Sequence, residues 1–374
     1  MANKKRLIKL LRKLIAIDSQ NPPGDESCIA RFVAGYLEKM GLDVKIYEFK
    51  RKRSNVVSIW KARDAKPSLL ITPHLDTVPA GAGWHTDPFT ATIKKARVYG
   101  LGATDCKGNL AVALEAMNSL CEARSELNYT LIFTATADEE SGSVFGLLPL
   151  LEKKIICPGA AVVLDADDFK IIVTQKGLIH AKVKIQGKRA HGAYPWRGIN
   201  AIEKASAIIM DLKKIKYPRL KNNYLKPPTI NTGTIKGGDK VNIVADWCEF
   251  ELDFRFLPGM SSEVMLKELR RIISRHSAKF KIEIEGIQQP YAIDTNHPLV
   301  VQLKKAICNA GIHPKIEGSE GATVISFFQK LGIPAVATGF GSAGCAHSAN
   351  EFIRIDNLYR GALMLEQFLR TFKS

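Results

Sequence analysis

The sequence predicts an α/β protein, a mixed sheet flanked by helices, into which a smaller α+β module is inserted. Short β-rich apolar runs alternate with helical patterns over residues 1–178 and again over 290–374. Between residues 179 and 289 the pattern changes to longer, cleanly alternating strands in β-α-β-β-α-β order, which is the order of the ferredoxin-like motif. A chain of 374 residues also exceeds the size at which one core stops growing, so two domains are expected.

Leu7, Leu10, Leu11, Leu14 and Ile15 recur at helical spacing and predict a helix over 4–16. Ile29, Phe32, Val33, Tyr36 and Leu37 predict another from Glu26 to Lys39. Strands are expected at 43–49, 55–60 and 69–72, followed by a helix marked by Leu110, Ala113, Leu114, Met117 and Leu120. Within the insert, Ile179–Ile185 alternates as a strand with one solvent face does. A helix from Gly198 to about Lys214, strands at 229–235 and 246–256, a helix after Pro258-Gly259 to about Arg275 and a strand at 279–285 complete it. The βα pattern resumes through His297–Ala310, Gly318–Lys330 and Pro334–Gly339, and a last helix spans Ile355 to Phe372.

Composition narrows the function classes. With 46% hydrophobic and 24% charged residues the chain reads as an ordinary globular protein. Its basic start, Met1 to Leu7, passes straight into an amphipathic helix with no signal-peptide core, and no run reaches membrane-spanning length. A cytoplasmic protein with no membrane partner is expected. Seven cysteines (Cys28, Cys106, Cys121, Cys157, Cys248, Cys308 and Cys345) at irregular spacing read as reduced thiols. The net charge of +17 concentrates at Lys50-Arg51-Lys52-Arg53 and from Lys213 to Lys226. No nucleic-acid motif or aromatic-interleaved stripe accompanies it, so a solvated basic surface is expected, with no nucleic-acid partner. Such a field attracts anionic substrates.

The chemistry gathers where apolar runs end. Ser68–Thr72 leads to His74 and Asp76, Leu131–Ala137 to Glu139 and Glu140, Ala160–Leu164 to Asp165, and Pro334–Gly339 to His347. A Gly-rich loop, Tyr99–Thr104, adds Asp105. Strands whose carboxyl ends meet at one sheet edge place such residues together, and that edge is where open α/β sheets bind ligands. Two histidines among carboxylates suit a divalent metal such as zinc. Taken singly, His74-x-Asp76 is a weak signal that a strand-end turn would also give, and Asp105 alone reads as a helix N-cap. Glu139 and Glu140 are different: adjacent anions behind a buried strand need a cation or a proton to resolve them.

His74-Leu75-Asp76-Thr77-Val78-Pro79, Gly102–Gly108, Ala137–Ser143 and Ala346–Glu351 resemble, in order and over nearly the whole chain, the family containing acetylornithine deacetylase, succinyl-diaminopimelate desuccinylase and glutamate carboxypeptidase. The resemblance implies a zinc-exopeptidase-like fold with an inserted lid and dimerisation domain. It implies two divalent metal ions, zinc foremost with cobalt or manganese as alternatives. By it Asp105 bridges the metals, His74 and Asp165 complete one site, and Glu140 and His347 the other. Glu139 is the general base, Asp76 holds the second ring nitrogen of His74, and the Asp105–Cys106 peptide is cis. His191, in Arg189–Pro195, reaches a partner subunit's active site and polarises the scissile carbonyl, while Asn242 and Arg255 bind substrate. The implied enzyme is a homodimer that cleaves the amide of an N-acyl amino acid, with a metallo-exopeptidase acting on short peptides as the alternative. A catalytically silent, metal-stabilised binding protein is a rival of another class, disfavoured because Glu139 accompanies every ligand. Two departures stand out. Val324 lies where many relatives carry an acid, and Cys106 and Cys345 adjoin proposed ligands, where packed thiols are expected.

Overall fold

A computed structural model describes residues 1–62, 67–217 and 220–373. Positions 218 and 219 of the cationic Lys213–Lys226 stretch lie outside them. The chain divides into two compact units. One comprises Met1–Val173, Ile293–Glu317 and Thr323–Ser374, and the other Thr174–Ala292 with Gly318–Ala322.

The centre of the first unit is four parallel strands in the order Thr130–Ala135, Ser68–Thr72, Ala160–Leu164 and Ala335–Thr338. Their registers, such as Leu70 opposite Ile132 and Ile71 opposite Val162, align the ends of all four at one edge. These strands read as largely apolar runs because they are buried on both faces beyond the half-buried Ser68 and Thr130 that open two of them, as parallel strands covered by helices are. Antiparallel strands extend the sheet on both sides: Ser54–Trp60 and Val44–Glu48 beyond Thr130–Ala135, and Lys170–Gln175 beyond Ala335–Thr338.

The helices Lys4–Ile15, Lys107–Glu122, Pro298–Asn309 and Ile355–Thr371 pack on one another beside the sheet. Leu7, Leu10, Leu11, Leu14 and Ile15 bury the apolar stripe of the first, and Asn3 caps it by accepting the Arg6 N–H at 3.1 Å. Each such leucine contributes about 1.5–3 kcal/mol on burial. A small antiparallel sheet of Thr92–Lys94, Arg97–Tyr99 and Phe352–Arg354 has no counterpart in the expected elements, because three-residue strands leave no readable period. Nor is Gly318–Lys330 one βα element: Lys315–Ser319 is strand, and the helix runs only over Ile325–Lys330.

The second unit holds a four-stranded antiparallel sheet in the order Thr229–Gly237, Trp247–Phe256, Gly177–Gln186, Phe280–Gln288. Ile179, Ala181, Val183 and Ile185 alternate inward with Phe250, Leu252 and Phe254, and the helices Ala201–Leu212 and Ser262–His276 close that core. The other sheet face carries ion pairs such as Lys182–Glu251 at 2.9 Å and Lys184–Glu283 at 2.8 Å. One part of the expected basic surface is corrected here. Lys50, Arg51 and Lys52 are exposed, but Arg53 is 5% exposed and ion-paired.

Candidate active site

The four parallel strands deliver their chain ends to one edge; His74, Glu139 and Asp165 follow within four residues of theirs, His347 comes nine residues after Thr338, and Asp105 is brought in by the loop before the Lys107–Glu122 helix. His74 is buried. Its Nε2 lies 2.9 Å from Asp105 Oδ1, and its Nδ1 lies 2.9 Å from the Asp76 carbonyl and 3.4 Å from the Asp76 carboxylate. His347 approaches from the opposite side, with Nε2 at 3.3 Å from Asp105 Oδ2 and 3.1 Å from Glu140 Oε2. Each oxygen of the Asp105 carboxylate therefore faces a different histidine. Two overlapping groups result, His74–Asp105–Asp165 and Asp105–Glu140–His347, with the ligand atoms within each lying inside 4.8 Å of one another.

Asp105 is not the cap of the helix it precedes. Cys106 takes that position, without a capping hydrogen bond, and the Asp105–Cys106 peptide is cis. Asp76 does more than face His74. Its carboxylate accepts the Glu139 N–H at 3.1 Å, the Glu140 N–H at 3.2 Å and the Asn21 amide at 2.9 Å, so it ties the two glutamates to the His74 strand. The Cys106 thiol is buried and donates to the Leu164 carbonyl at 2.9 Å, and Cys345 is buried too. Neither cysteine joins a ligand group. Val324 is buried at the start of the Ile325–Lys330 helix.

Burial and the Asp105 charge push Asp165 up to about 7. Burial, with the Asp165, Glu140 and Asp76 charges behind it, raises Glu139 well above the usual carboxylate range against the pull of His74. Asp105 suffers the same burial but lies well below that range, because both histidines hydrogen-bond to it. Hydrogen bonds to Asp105 and Glu140 push His347 up to about 10. Protons on the imidazoles thus balance part of a crowded negative charge. Glu140 Oε1 is buried and has no hydrogen-bond partner, a costly state for a carboxylate oxygen unless a cation satisfies it. The donor set and this orphaned oxygen fit a pair of divalent cations.

Supporting residues whose role the sequence did not show hold the loops. Glu351 is buried, and its carboxylate accepts the N–H groups of Gly102, Thr104 and Asp105 at 2.8, 2.7 and 2.8 Å, fixing the loop that presents Asp105. Asn55 Oδ1 accepts the Ala137 N–H at 2.9 Å while its amide donates to the Phe145 carbonyl at 2.8 Å, spanning both ends of the Glu139–Glu140 turn. Glu351 closes a motif already singled out, so its position was visible and its role was not. Asn55 lies inside a strand run and gave no cue. Gly339 is required where the last strand turns toward His347, because a Cβ there would sit 1.9 Å from the Ala166 carbonyl oxygen.

The remaining expected residues lie in the second unit. His191 is exposed on a two-stranded ribbon, paired with Ile243. Its Nδ1 accepts the Ala193 N–H at 3.0 Å, so the neutral ring carries its proton on Nε2. Asn242 adjoins it, its carbonyl accepting the Gly192 N–H at 2.8 Å. Arg255 stands apart on the Trp247–Phe256 strand, where Nε and Nη2 grip the Asp253 carboxylate at 2.7 and 3.0 Å.

Residues 70–371 match Peptidase family M20/M25/M40 across the whole of this edge. The chain belongs to that family. Along 363 residues it is 31% identical to an acetylornithine deacetylase of Proteus mirabilis, covering 92% of this chain and 91% of that one. A tripeptidase structure from Staphylococcus aureus aligns with TM-score 0.84 at 25% identity over 99% of this chain and 98% of its own. An M20 family metallo-carboxypeptidase from Sulfolobus solfataricus shares the fold, with TM-score 0.82 at 23% identity over 97% and 98% of the two chains. As an M20 family member the protein is an enzyme, a hydrolase of amide or peptide bonds.

Proposed function

We propose that this M20 enzyme deacylates an N-acyl amino acid of the N-acetylornithine or N-succinyl-diaminopimelate kind, using two divalent metal ions, zinc foremost. The observation that carries the reading is the Asp105 carboxylate, which offers one oxygen to each histidine-containing group. His74, Asp105 and Asp165 would hold one cation, and Asp105, Glu140 and His347 the other. Bound there, the cations supply Lewis acidity toward water and the scissile carbonyl.

The chain's own residues do the rest. Glu139, outside both ligand groups but tied to Asp76 through its N–H, takes the proton of the attacking water and returns it to the leaving nitrogen. Asp76 keeps His74 and the two glutamates in register. His191, with its proton on Nε2, donates to the developing oxyanion across a subunit boundary. Asn242 and Arg255 bind the substrate's polar groups.

A homodimer through the second unit is part of this reading. Tyr194, Trp196, Ile199, Met210 and Val241 expose large apolar surface there, Trp196 at 74%. The cytoplasm is the proposed location. All seven cysteines are free, and among the described residues no helix is long and apolar enough to cross a membrane. Peptide cleavage is the second reading, favoured by the fold shared with the tripeptidase.

Chelator-treated protein reconstituted with Zn²⁺, Co²⁺ or Mn²⁺ and assayed on N-acyl amino acids, dipeptides and tripeptides decides between them. Turnover of N-acyl amino acids restored by about two equivalents of metal is expected. Cleavage of peptides alone would move the assignment to the second reading, and a protein that takes up no metal would sink both.

A further inference from the structure

Resting on the two-metal reading, we propose that Arg53 is a positioning residue, holding the Glu139–Glu140 turn in place through a buried Arg53–Glu26–Asp138 cluster. Asp138, immediately before the two glutamates, has φ +65°, a left-handed conformation that disfavours most L-residues and that aspartate adopts with its short side chain hydrogen-bonded locally. That support comes from several directions. Arg53 Nη2 donates to Asp138 Oδ1 at 2.5 Å and lies 3.2 Å from Glu26 Oε1. Glu26 Oε1 also accepts the Asp138 N–H at 3.4 Å. Asp138 Oδ2 accepts the Phe145 N–H at 2.9 Å, and the Asp138 carbonyl accepts the Ser143 N–H at 2.5 Å, closing the turn. Asp76 grips the glutamates by their own N–H groups, while Arg53 grips the residue that sets their direction.

The cluster is buried throughout, with Arg53 at 5%, Glu26 at 0% and Asp138 at 4% exposure. Chain geometry makes room for it: a Cβ on Gly24 would fall 1.2 Å from Arg53 Nη1. Its neighbours in the basic run go elsewhere, Lys52 to Asp25 at 2.7 Å and Lys50 over the Phe145 ring at 4.8 Å. Arg53 Nε and Glu26 Oε2 find no partner. An incompletely satisfied buried ion cluster is a poor source of stability, since apolar residues of like size commonly do as well. What apolar residues would not supply is a directed hydrogen bond to Asp138. A comparable network elsewhere in the unit, Arg6 with buried Glu115 and with Glu122, joins the Lys4–Ile15 and Lys107–Glu122 helices rather than the turn and serves as a control.

The test compares Arg53→Met, Arg53→Lys and the control Glu115→Gln with the unaltered protein. Co²⁺ uptake is followed by absorbance, thermal midpoint by circular dichroism, and kcat and KM on whichever substrate the metal-reconstituted enzyme turns over. Arg53→Met is expected to weaken binding of one of two metal equivalents by about 10- to 100-fold. It should lower kcat by about 100-fold with KM within about threefold, as a displaced catalytic group does. Arg53→Lys keeps the charge but not the fork, and should fold while losing about tenfold in kcat. Glu115→Gln should lower the midpoint and leave metal uptake and kcat unchanged. Arg53 variants that bind both metals normally and keep kcat within about threefold would overturn the proposal, as would a control that loses metal to the same extent. If Arg53→Met does not fold, Arg53→Lys alone decides. If the unaltered protein binds no Co²⁺, it is the two-metal reading that fails, not the Arg53 role.

Discussion

In the first unit His74, Asp105, Glu139, Glu140 and Asp165 crowd together at the end of a buried parallel sheet, each shaping its neighbours' charge. In the second, His191 and Asn242 sit on an exposed ribbon of two short strands, held by single backbone contacts. The first arrangement is assembled by folding itself, and its like charges burden the fold until a cation offsets them. The second carries no such burden, and the task proposed for it begins only when substrate is bound. On the proposed roles, function is therefore coupled to stability in the first unit and not in the second.

The largest expected effect isolates chemistry within the crowded site. Glu139→Gln should lower kcat by about 10³-fold, within the range for a lost general base, while metal content by elemental analysis stays at the unaltered level. Near-normal turnover would remove Glu139 from that role. His191→Ala comes next, with a loss of about 10²–10³-fold in kcat as for an oxyanion donor. Its thermal midpoint and metal content should not move, because the side chain is exposed. A fall in midpoint comparable to that of a core variant would break the contrast between the units.

Removing metal should do the reverse. At metal concentrations near 100 times Kd each bound ion adds about 2.7 kcal/mol to the unfolding free energy. Chelation should lower hydrogen-exchange protection in the strands Ser68–Thr72, Thr130–Ala135 and Ala160–Leu164, which lead to the ligands, and spare the Gly177–Gln186 strand. Equal loss of protection in both units would contradict the comparison.

Burial, then the Asp76 charge, pushes Glu26 up to about 7 against Arg53, from an ordinary value of 4.5. A folded-state value above the unfolded one means stability that is complete below about pH 4.5 and is lost as pH rises through about 7. Metal-free protein should therefore lose roughly 1–3 kcal/mol across that window from this group, read from urea midpoints. Glu26→Gln should flatten that part of the profile, and an unchanged slope would show that Glu26 titrates normally.

Much of this was legible in the sequence. The four central strands are largely apolar runs because both of their faces are covered, and the residue ending each run is polar because the strand emerges there. Alternation in Gly177–Gln186 is as plain because one face of that strand stays wet. What could not be read depends on contacts between distant segments. Arg53 has the same local sequence whether solvated or buried, and only the packing of Glu26 and Asp138 around it decides. Glu351 likewise acquires meaning from three backbone N–H groups some 250 residues away in the chain.

The smallest effect concerns Arg255, which is ion-paired where, among the described residues, His191 of the same unit is not. The guanidinium is already engaged by Asp253 through two of its five N–H donors, and both side chains remain about a quarter to a third exposed. An exposed pair of this kind is worth about 0–1 kcal/mol, so stability alone gives it little to do. Its geometry does something else: Asp253 fixes the plane of the fork and leaves the other donors available to a carboxylate. On that account Arg255→Met raises KM for an anionic substrate by about tenfold with kcat nearly unchanged, the signature of lost uniform binding. Asp253→Asn, which loosens the fork without removing it, raises KM by less, about threefold. If both variants keep KM and only lower the thermal midpoint, the pair belongs to the sheet of the second unit and substrate selection rests on other residues.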